Sequence, residues 1–343
     1  MRAFLYQAVG GSIDLVDLPD PECPLDGAIV EVRATGVCRS DWHAWRGHDP
    51  VPLPMVPGHE FSGVVKAVGP RVRKFRTGDR VTAPFVNGCG TCSFCRSGQA
   101  QVCPTQQQPG FTYFGSFAEQ VVVHHADTNL VRLPDGLSFI AAASLGCRFA
   151  TAFHALTSQA GLVEGEQLAV FGAGGVGLSA VLIAAAIGAQ IVVVDPSPAA
   201  RAQAEALGAG ITLADATPAE IERATAGGAH VSLDAVGSTR TTNTAVRSLR
   251  RRGRHVQVGL MFGPDATAPL PWDLLVAREW QIIGSHGMAA VDYPRLFVFI
   301  DEHGIQPEKL VGTHIDFVDL GRTLMAMDDP PAQGGLTVAT LRE

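Results

Sequence analysis

Charged side chains are scarce in this sequence, and basic ones are outnumbered by acidic ones. Only 17% of the 343 residues are Asp, Glu, Lys or Arg, and 26 Lys and Arg against 33 Asp and Glu give a formal net charge of -7 at pH 7. Binding of nucleic acid by counterion release needs a clustered basic excess. We therefore predict no nucleic-acid partner, and we expect the densest basic run, residues 250–254, to be a solvated helix end.

We expect no targeting segment and no membrane-spanning segment either. The first residues lack the basic, apolar and small-residue pattern of a signal peptide, which predicts a cytoplasmic protein. An uncharged run at residues 168–194 is long enough for a membrane, but glycines interrupt it and its pattern is strand, turn, helix, strand. We therefore predict no membrane span and no membrane partner.

Apolar residues, glycine and proline are abundant instead. The sequence is 46% hydrophobic and has 38 Gly and 22 Pro, which allows a large core with many tight turns and excludes a disordered chain. At roughly 100 to 200 residues per domain, the length favours two domains. Up to about residue 131, short β-branched runs separated by Gly, Pro and Asp are typical of an antiparallel, barrel-like domain.

From about residue 141 the pattern changes to apolar strands that alternate with alanine-rich helices. This alternation predicts an α/β domain with a doubly wound parallel sheet of the Rossmann type. The expected strands are 168–171, 191–195, 211–213, 230–235, 254–259 and 281–284, and the expected helices are 178–188, 198–207, 218–226, 239–252 and 273–278. With the tail rejoining the first domain, we expect one domain of residues 1–147 and 285–343 and another of residues 148–284.

A glycine-rich turn follows the first of these strands and opens a helix. In that context the GxGxxG pattern predicts a dinucleotide site, because its glycines permit the tight turn, the approach of backbone N–H groups to the pyrophosphate and close packing of helix on strand. The helix dipole favours the anion. The residues concerned are Gly172, Gly174, Gly175, Val176 and Gly177.

Asp195 ends the next strand, where a carboxylate accepts hydrogen bonds from the adenosine ribose hydroxyls. It would repel a 2′-phosphate, which favours NAD over NADP. Arg201, farther along the following helix, would weaken that preference. The alternative is that Asp195 only caps the following helix.

Four of the seven cysteines lie close together, with two, two and seven residues between Cys89, Cys92, Cys95 and Cys103. Such a cluster in a reducing compartment favours a metal over disulfides. Four thiolates can surround one tetrahedral centre, as structural zinc requires. An iron–sulfur cluster also takes four cysteines, although the fourth one comes later here than in its common pattern. We therefore predict a structural zinc ion, which contributes to the folding of residues 87–104.

A second set is dispersed and consists of Cys38, His59 and Cys147. Two thiolates and an imidazole are a ligand set for catalytic zinc, with the fourth position left for water or an alcohol oxygen. Taken singly, each residue is more often a buried cysteine or a hydrogen-bonded histidine than a ligand. Catalytic zinc is therefore a hypothesis that requires the fold to bring these residues together, and it leaves Cys23 without a role.

These motifs resemble those of the zinc-dependent medium-chain alcohol dehydrogenases. The similarity extends nearly end to end, and residues 38–47 look most like the yeast and bacterial branch. The resemblance implies a GroES-like catalytic domain beside a Rossmann NAD-binding domain, two zinc ions per chain, and a homodimer or homotetramer. It also implies reversible oxidation of a primary or secondary alcohol to an aldehyde or ketone, with hydride transfer to NAD.

The resemblance further implies a role for each matching residue. Cys38, His59 and Cys147 would ligate the catalytic zinc, with Glu60 as an occasional ligand. Asp41 would orient His59 through its other ring nitrogen.

Near the metal, Ser40 and His43 would pass the alcohol proton to solvent, and Arg39 would reach the cofactor pyrophosphate. Phe85 and Phe111 would line the substrate pocket, although ordinary core aromatics are the alternative there.

One segment departs from the family pattern. Many relatives have Gly-Arg-x-Val near the C-terminus, with an arginine that touches the cofactor phosphates, whereas residues 335–338 here are Gly-Leu-Thr-Val. Arg39 would then make that contact alone.

Three rival functions remain open. A polyol, amino-alcohol or aldehyde-adduct dehydrogenase would use the same scaffold. A zinc-free quinone reductase would lack the cysteine sets, and a non-catalytic NADH-binding protein would have no need of Ser40 and His43. For the alcohol dehydrogenase itself, we expect a small-molecule substrate, namely an alcohol or the corresponding aldehyde or ketone.

Overall fold

The computed structural model describes residues 1–329 and 334–341, which fall into two compact units. Among the described residues, unit 1 comprises 1–150, 287–329 and 336–341. Unit 2 comprises 151–286 and 334–335.

The first segment of unit 1 is rich in short strands, as its β-branched runs predict. Its strands are β1 (Arg2–Leu5), β2 (Asp14–Asp17), β3 (Ala28–Val37), β4 (Glu60–Val68), β5 (Arg80–Thr82), β6 (Gln120–Val123) and β7 (Val131–Arg132). Its helices are α1 (Arg39–Trp45), α2 (Ser93–Arg96), α3 (Ala126–Asn129) and α4 (Phe139–Ser144), with a 3₁₀ turn at Ala100–Val102 and a π-helical turn at Leu145–Phe149.

Unit 2 alternates strand and helix throughout. It begins with α5 (Ala150–Phe153), whose first residue still belongs to unit 1, and a π-helical turn at His154–Gln159. The first half then contains β8 (Gln167–Phe171), α6 (Gly175–Ile187), β9 (Gln190–Val194), α7 (Pro198–Ala206), β10 (Ile211–Leu213) and α8 (Pro218–Ala224). The second half contains β11 (Ala229–Asp234), α9 (Thr239–Arg247), β12 (Leu249–Gln257), a 3₁₀ turn at Gly263–Thr267, α10 (Trp272–Arg278) and β13 (Gln281–Gly284).

The chain then returns to unit 1. This last segment contains α11 (Tyr293–Glu302), β14 (Val311–Asp316), α12 (Leu320–Met325) and β15 (Leu336–Thr340). Short 3₁₀ turns lie at Ala290–Asp292, Pro307–Leu310, Phe317–Asp319 and Ala326–Asp328.

The main sheet of unit 1 has the strand order β14-β15-β3-β4-β5-β7, with β6 paired to β3, and all its pairs are antiparallel except β14 with β15. The hairpin partners β1 and β2 form a separate small sheet. A core of Val, Ala and aromatic side chains, with Tyr6, Phe61 and Phe117 fully buried, fills this unit. The prediction of an antiparallel domain is confirmed. The long pair β3–β4 ends next to several candidate site residues.

The sheet of unit 2 is parallel throughout, in the order β10-β9-β8-β11-β12-β13. Counted from β8, this is the order 3-2-1-4-5-6 of the Rossmann fold. The order reverses between β8 and β11, and ligands of such sheets bind at the carboxyl ends of the strands at that point. The predicted Rossmann sheet is therefore confirmed.

The basic run at residues 250–254 does not end a helix, so that expectation is wrong. Helix α9 stops at Arg247, and β12 begins at Leu249, which is buried and pairs with Ala229. The ladder resumes only at Arg254, opposite Val231, so the exposed arginines between occupy a bulge. Arginine favours helices in isolation, but burial of Leu249 in the sheet decides the local structure.

Among the described residues, one helical stretch, Phe139–Gln159, is long and apolar enough to cross a membrane by length and composition alone. Within the folded chain, 89% of its most apolar window is buried. The same test is passed by core helices of soluble proteins, so this stretch gives only weak evidence for a membrane span.

Strands β3 and β4 approach each other so closely at Gly63 that a side chain there is predicted to clash. A Cβ atom there would lie 2.0 Å from the carbonyl oxygen of Glu31, which belongs to the facing strand backbone. We expect Gly63→Ala to destabilise unit 1 by about 3 kcal/mol, at the upper end of overpacking costs. The denaturant midpoint of unfolding measures this loss. Gly136→Ala is the matched control, because its Cβ would meet no atom within 4 Å, and an equal loss in both variants would contradict the proposed clash.

Candidate metal centres and dinucleotide site

Three buried side chains from distant parts of the sequence meet in unit 1. Cys38 follows β3, His59 precedes β4, and Cys147 lies in the π-helical turn after α4. Their sulfur and ring-nitrogen atoms all lie within 4.8 Å of one another. Cys38 and His59 adjoin ends of β3 and β4 that are paired through Gly36 and Glu60, so strand register brings them together.

Asp41 organises two of these three residues. Its Oδ2 accepts a hydrogen bond from the Cys38 backbone N–H at 3.1 Å, and its Oδ1 accepts from the Gly58 backbone N–H at 3.0 Å and from His59 Nδ1 at 2.8 Å. The His59 tautomer is therefore fixed, with Nε2 turned to the two sulfurs. Nε2 is buried and has no hydrogen-bond partner in the described residues.

The charges around this cluster favour a bound cation. A hydrogen bond from Cys147 holds the pKa of Cys38 well below its ordinary value, and the same bond raises the pKa of Cys147. Burial alone would lower the pKa of His59, but Asp41 and the Cys38 sulfur raise it well above its ordinary value. Metal binding displaces such protons, and a donor set of two sulfurs and one imidazole matches zinc. The residues present therefore fit a zinc ion with one position left for a further ligand.

Glu60 and Arg148 form an ion pair next to these residues. Glu60 is completely buried, and Arg148 donates to its carboxylate from the backbone N–H, Nε and Nη2. Burial raises the pKa of Glu60, although Arg148 opposes the rise. The sequence analysis missed Arg148, and the available signal was the single Asp, Glu, Lys or Arg residue in the mostly apolar stretch 139–156.

Ser40 and His43 lie on α1, one helical turn apart. The Cys38 sulfur lies 3.8 Å from Ser40 Oγ. His43 is half-buried, and its Nδ1 lies 3.0 Å from Nδ1 of the exposed His48. Burial, followed by the charges of His48 and Arg39, lowers the pKa of His43, so its neutral, proton-accepting form persists below the usual pH.

Arg39 is exposed and contacts another part of unit 1. Its Nη1 donates to the carbonyl oxygen of Met327 at 2.5 Å, and its guanidinium lies 4.7 Å from the Trp42 ring centroid. Residues 335–338, which differ from the Gly-Arg-x-Val pattern of many relatives, lead into β15, and Leu336 and Val338 are buried in the unit 1 sheet.

Phe85 and Phe111 both pack against the His59 ring in T-shaped arrangements. Their ring centroids lie 6.1 and 5.4 Å from the imidazole centroid, with interplanar angles near perpendicular at 74° and 77°. Two apolar aromatic rings therefore adjoin His59.

The other cysteine set is also assembled. The sulfurs of Cys89, Cys92, Cys95 and Cys103 lie within 4.8 Å of one another. Backbone N–H groups of Cys89 and Cys95 donate to the sulfurs of Cys103 and Cys92, both at 3.4 Å. Hydrogen bonds, mainly from the Thr91 side chain, lower the pKa of Cys89 to about 5. Burial raises the pKa of Cys95 to about 12. Four converging sulfurs with N–H donors fit a closed tetrahedral zinc site.

The glycine-rich turn in unit 2 has the geometry that a dinucleotide requires. Gly172 has φ of 91°, and a Cβ on Gly177 would lie 1.8 Å from the Gly172 carbonyl oxygen. Gly174 is the N-cap of α6 and is exposed, with open space where its Cβ would be. Gly175 and Val176 are partly exposed in the first turn, so their end of the helix dipole is accessible to an anion.

Asp195 lies directly after β9 and does not cap the next helix. Ser197 caps α7 by accepting from the Ala200 backbone N–H, so the capping alternative is wrong. The Asp195 carboxylate instead accepts from the backbone N–H groups of Ala173 at 2.7 Å and Ser197 at 2.8 Å. Arg201 Nη1 donates to the Asp195 and Pro196 carbonyl oxygens at 2.7 and 3.0 Å.

Asp234, at the end of β11, is a buried carboxylate that sequence reasoning missed. It accepts from the backbone N–H groups of Val236 and Gly237 and from the hydroxyl of Thr242. A Cβ on Gly172 would lie 2.6 Å from Val236 Cγ2. Asp234 therefore shapes the loop that packs against the glycine-rich turn.

Comparison with known proteins agrees with this geometry. Residues 25–135 match the alcohol dehydrogenase GroES-like domain, and residues 175–302 match the zinc-binding dehydrogenase family. An alcohol dehydrogenase of Geobacillus stearothermophilus is 34% identical over 290 residues, which cover 83% of this chain and 84% of that protein. A D-arabitol-phosphate dehydrogenase of Enterococcus avium is 31% identical over 91% of this chain and 90% of its own. The solved alcohol dehydrogenase of Thermus sp. ATN1 superposes with a TM-score of 0.88 at 30% identity, with all of both chains covered.

Fold and sites together define a two-unit, zinc-binding, nicotinamide-dependent oxidoreductase. The chain belongs to the zinc-dependent medium-chain alcohol dehydrogenase family. Its reaction is the zinc-dependent oxidation of an alcohol, so its substrate is a small molecule.

The three hydrogen bonds to Asp41 generate a prediction for metal binding. Asp41→Asn leaves one side-chain oxygen for three N–H donors, so at least one donor faces an NH₂ group instead. We expect zinc affinity at the Cys38 site to fall about 10- to 100-fold, as it does when outer partners of a ligating histidine are lost. Competition with a chromophoric chelator measures the affinity. Asp49→Asn, which neutralises a carboxyl farther along the chain, is the control, and an unchanged affinity in Asp41→Asn would show that Asp41 does not set the ligand.

Proposed function

We propose that Cys38, His59 and Cys147 hold the catalytic zinc, and that Cys89, Cys92, Cys95 and Cys103 hold the structural one. The observation that carries this proposal is the convergence of two buried sulfurs and one buried imidazole nitrogen, which has no hydrogen-bond partner among the described residues. Zinc, when bound, supplies a Lewis acid that eases loss of the alcohol proton, and NAD supplies the acceptor for hydride.

We propose that Ser40 and His43 move the alcohol proton. Ser40 Oγ lies beside the Cys38 sulfur and can accept a proton from the substrate hydroxyl while donating its own. His43 is neutral near pH 7 because its pKa is lowered, so it can accept that proton and release it towards solvent. Phe85 and Phe111 would exclude water from the side of the site near His59.

In unit 2, the proposed cofactor residues are Gly172, Gly174, Gly175, Val176 and Gly177 for the pyrophosphate, with Asp195 for the adenosine ribose. The fixed carboxylate of Asp195 supports NAD over NADP, since it would repel a 2′-phosphate. Arg39 is proposed as a further phosphate contact. We accordingly assign catalysis to residues 1–147 with 285–343 and cofactor binding to residues 148–284.

We propose a cytoplasmic homodimer or homotetramer. Strand β13 is at the edge of its sheet and is largely exposed, which supports extension of the sheet across a two-fold axis. On the preceding helix, Trp272 and Val276 are 65% and 75% exposed. Large apolar side chains beside an open strand edge are typical of an interface.

A substrate panel tests the main proposal. We expect NADH absorbance to appear with primary or secondary alcohols, two zinc ions per chain, and little turnover with NADP. Cys38→Ser should lose one zinc and nearly all turnover while it still binds NAD. Cys23→Ser is the matched control and should keep both metals, whereas normal activity in Cys38→Ser would contradict the ligand assignment. The similarity to a D-arabitol-phosphate dehydrogenase favours a polyol as the second candidate, so polyols and their phosphates belong in the panel.

The proton path predicts a pH-dependent defect. His43→Ala should slow alcohol oxidation most at low pH, where hydroxide is too scarce to replace the imidazole, and added buffer base should partly restore the rate. Because the pKa of His43 is lowered, the wild-type rate should persist to a pH below the ordinary histidine range before it declines. Rate profiles against pH at several buffer concentrations measure both effects. A profile in the variant that matches the wild type would remove His43 from the path.

A further inference from the structure

The ion pair between Glu60 and Arg148 adjoins the proposed catalytic zinc ligands on both of its sides. Glu60 follows His59, and Arg148 follows Cys147. Arg148 donates to Glu60 Oε1 from its backbone N–H at 3.2 Å and from Nε at 3.0 Å, while Nη2 donates to Oε2.

Arg148 is tied to the third ligand as well. Its Nη1 donates at 3.3 Å to the carbonyl oxygen of Val37, which precedes Cys38. The guanidinium is 8% exposed and the carboxylate 0%. The orientation of Glu60 is therefore set by a buried fork of donors that is itself anchored to the strand carrying Cys38.

Charge balance explains why this pair matters to a metal. Two thiolates neutralise a divalent cation, and Arg148 neutralises Glu60, so the Glu60–Arg148 pair adds no net charge to the ligand set. Without Arg148, the buried carboxylate would be left uncompensated, which is costly, and the nearest cation would be the metal. Glu60 would then occupy the position that an alcohol needs.

We propose that Arg148 is a positioning residue that holds Glu60 away from the metal and so keeps one coordination position open. This inference rests on the proposed ligand set. It replaces the expectation that Glu60 is itself an occasional ligand.

The test uses cobalt(II) at the three-ligand site of the full-length enzyme, with zinc kept at the four-cysteine site. Visible ligand-field absorption reports the donors of cobalt, and titration with imidazole reports the open position. The variants are Arg148→Met, Glu60→Gln and the double variant Glu60→Gln with Arg148→Met. Arg148→Lys keeps the charge and is the conservative control.

We expect the Arg148→Met variant to show altered absorption and about tenfold weaker imidazole binding, within the range reported for changes around ligands. The double variant should regain the wild-type spectrum and imidazole affinity, because it lacks the carboxylate. Arg148→Lys should remain close to wild type. Wild-type behaviour in Arg148→Met, or an altered spectrum in Glu60→Gln alone, would overturn the proposal.

If Arg148→Met does not fold, Glu60→Gln decides on its own. An unchanged spectrum supports a carboxylate that is held off the metal, and a changed one shows that Glu60 already ligates it. A wild-type enzyme that takes no cobalt at Cys38, His59 and Cys147 would instead contradict the proposed function, which separates the two failures.

Discussion

The hydrogen bonds to Asp41 are the constraint on which the candidate catalytic site depends. A buried carboxylate is tolerated here because three N–H groups donate to it, and two of them belong to Cys38 and His59 themselves. The same carboxylate closes the first turn of α1, so the helix that presents Ser40 and His43 is fixed to the ligand geometry. The proposed proton path and the proposed metal ligands are in this way parts of one hydrogen-bonded unit.

The two cysteine-containing sets, both of which fit zinc, are assembled in different ways. The four-cysteine set lies within one short loop, where chain spacing and backbone N–H donors arrange the sulfurs and Asn129 holds the neighbouring Gly88. The set of Cys38, His59 and Cys147 depends on the register of β3 against β4 and on the turn after α4. A closed site can be local, whereas a site with an open position needs rigid, buried surroundings on its remaining sides.

This contrast also explains what the sequence predicts and what it does not. Local patterns identified the four-cysteine loop, the glycine-rich turn and most strands of the parallel sheet, because each depends on neighbours within a few residues. Asp234, whose partners Val236 and Gly237 are close in sequence, belongs to no motif that identifies it. Arg148 escaped prediction because its partner Glu60 is 88 residues away and only folding brings the two together. The arginines at 250–252 were misassigned for the same reason, as burial of Leu249 outweighs their helix propensity.

In unit 2 the same reasoning applies to cofactor choice. Asp195 is held by two backbone N–H groups, one from the glycine-rich turn and one from the residue that caps α7. Each carboxylate oxygen accepts one of these bonds and keeps a further lone pair for a ribose hydroxyl. Arg201 is the cation nearest in sequence, yet its Nη1 donates to the Asp195 and Pro196 carbonyl oxygens. Arg201 is thus held against the backbone, while the fixed carboxylate of Asp195 would repel a 2′-phosphate, and both features support the proposed preference for NAD.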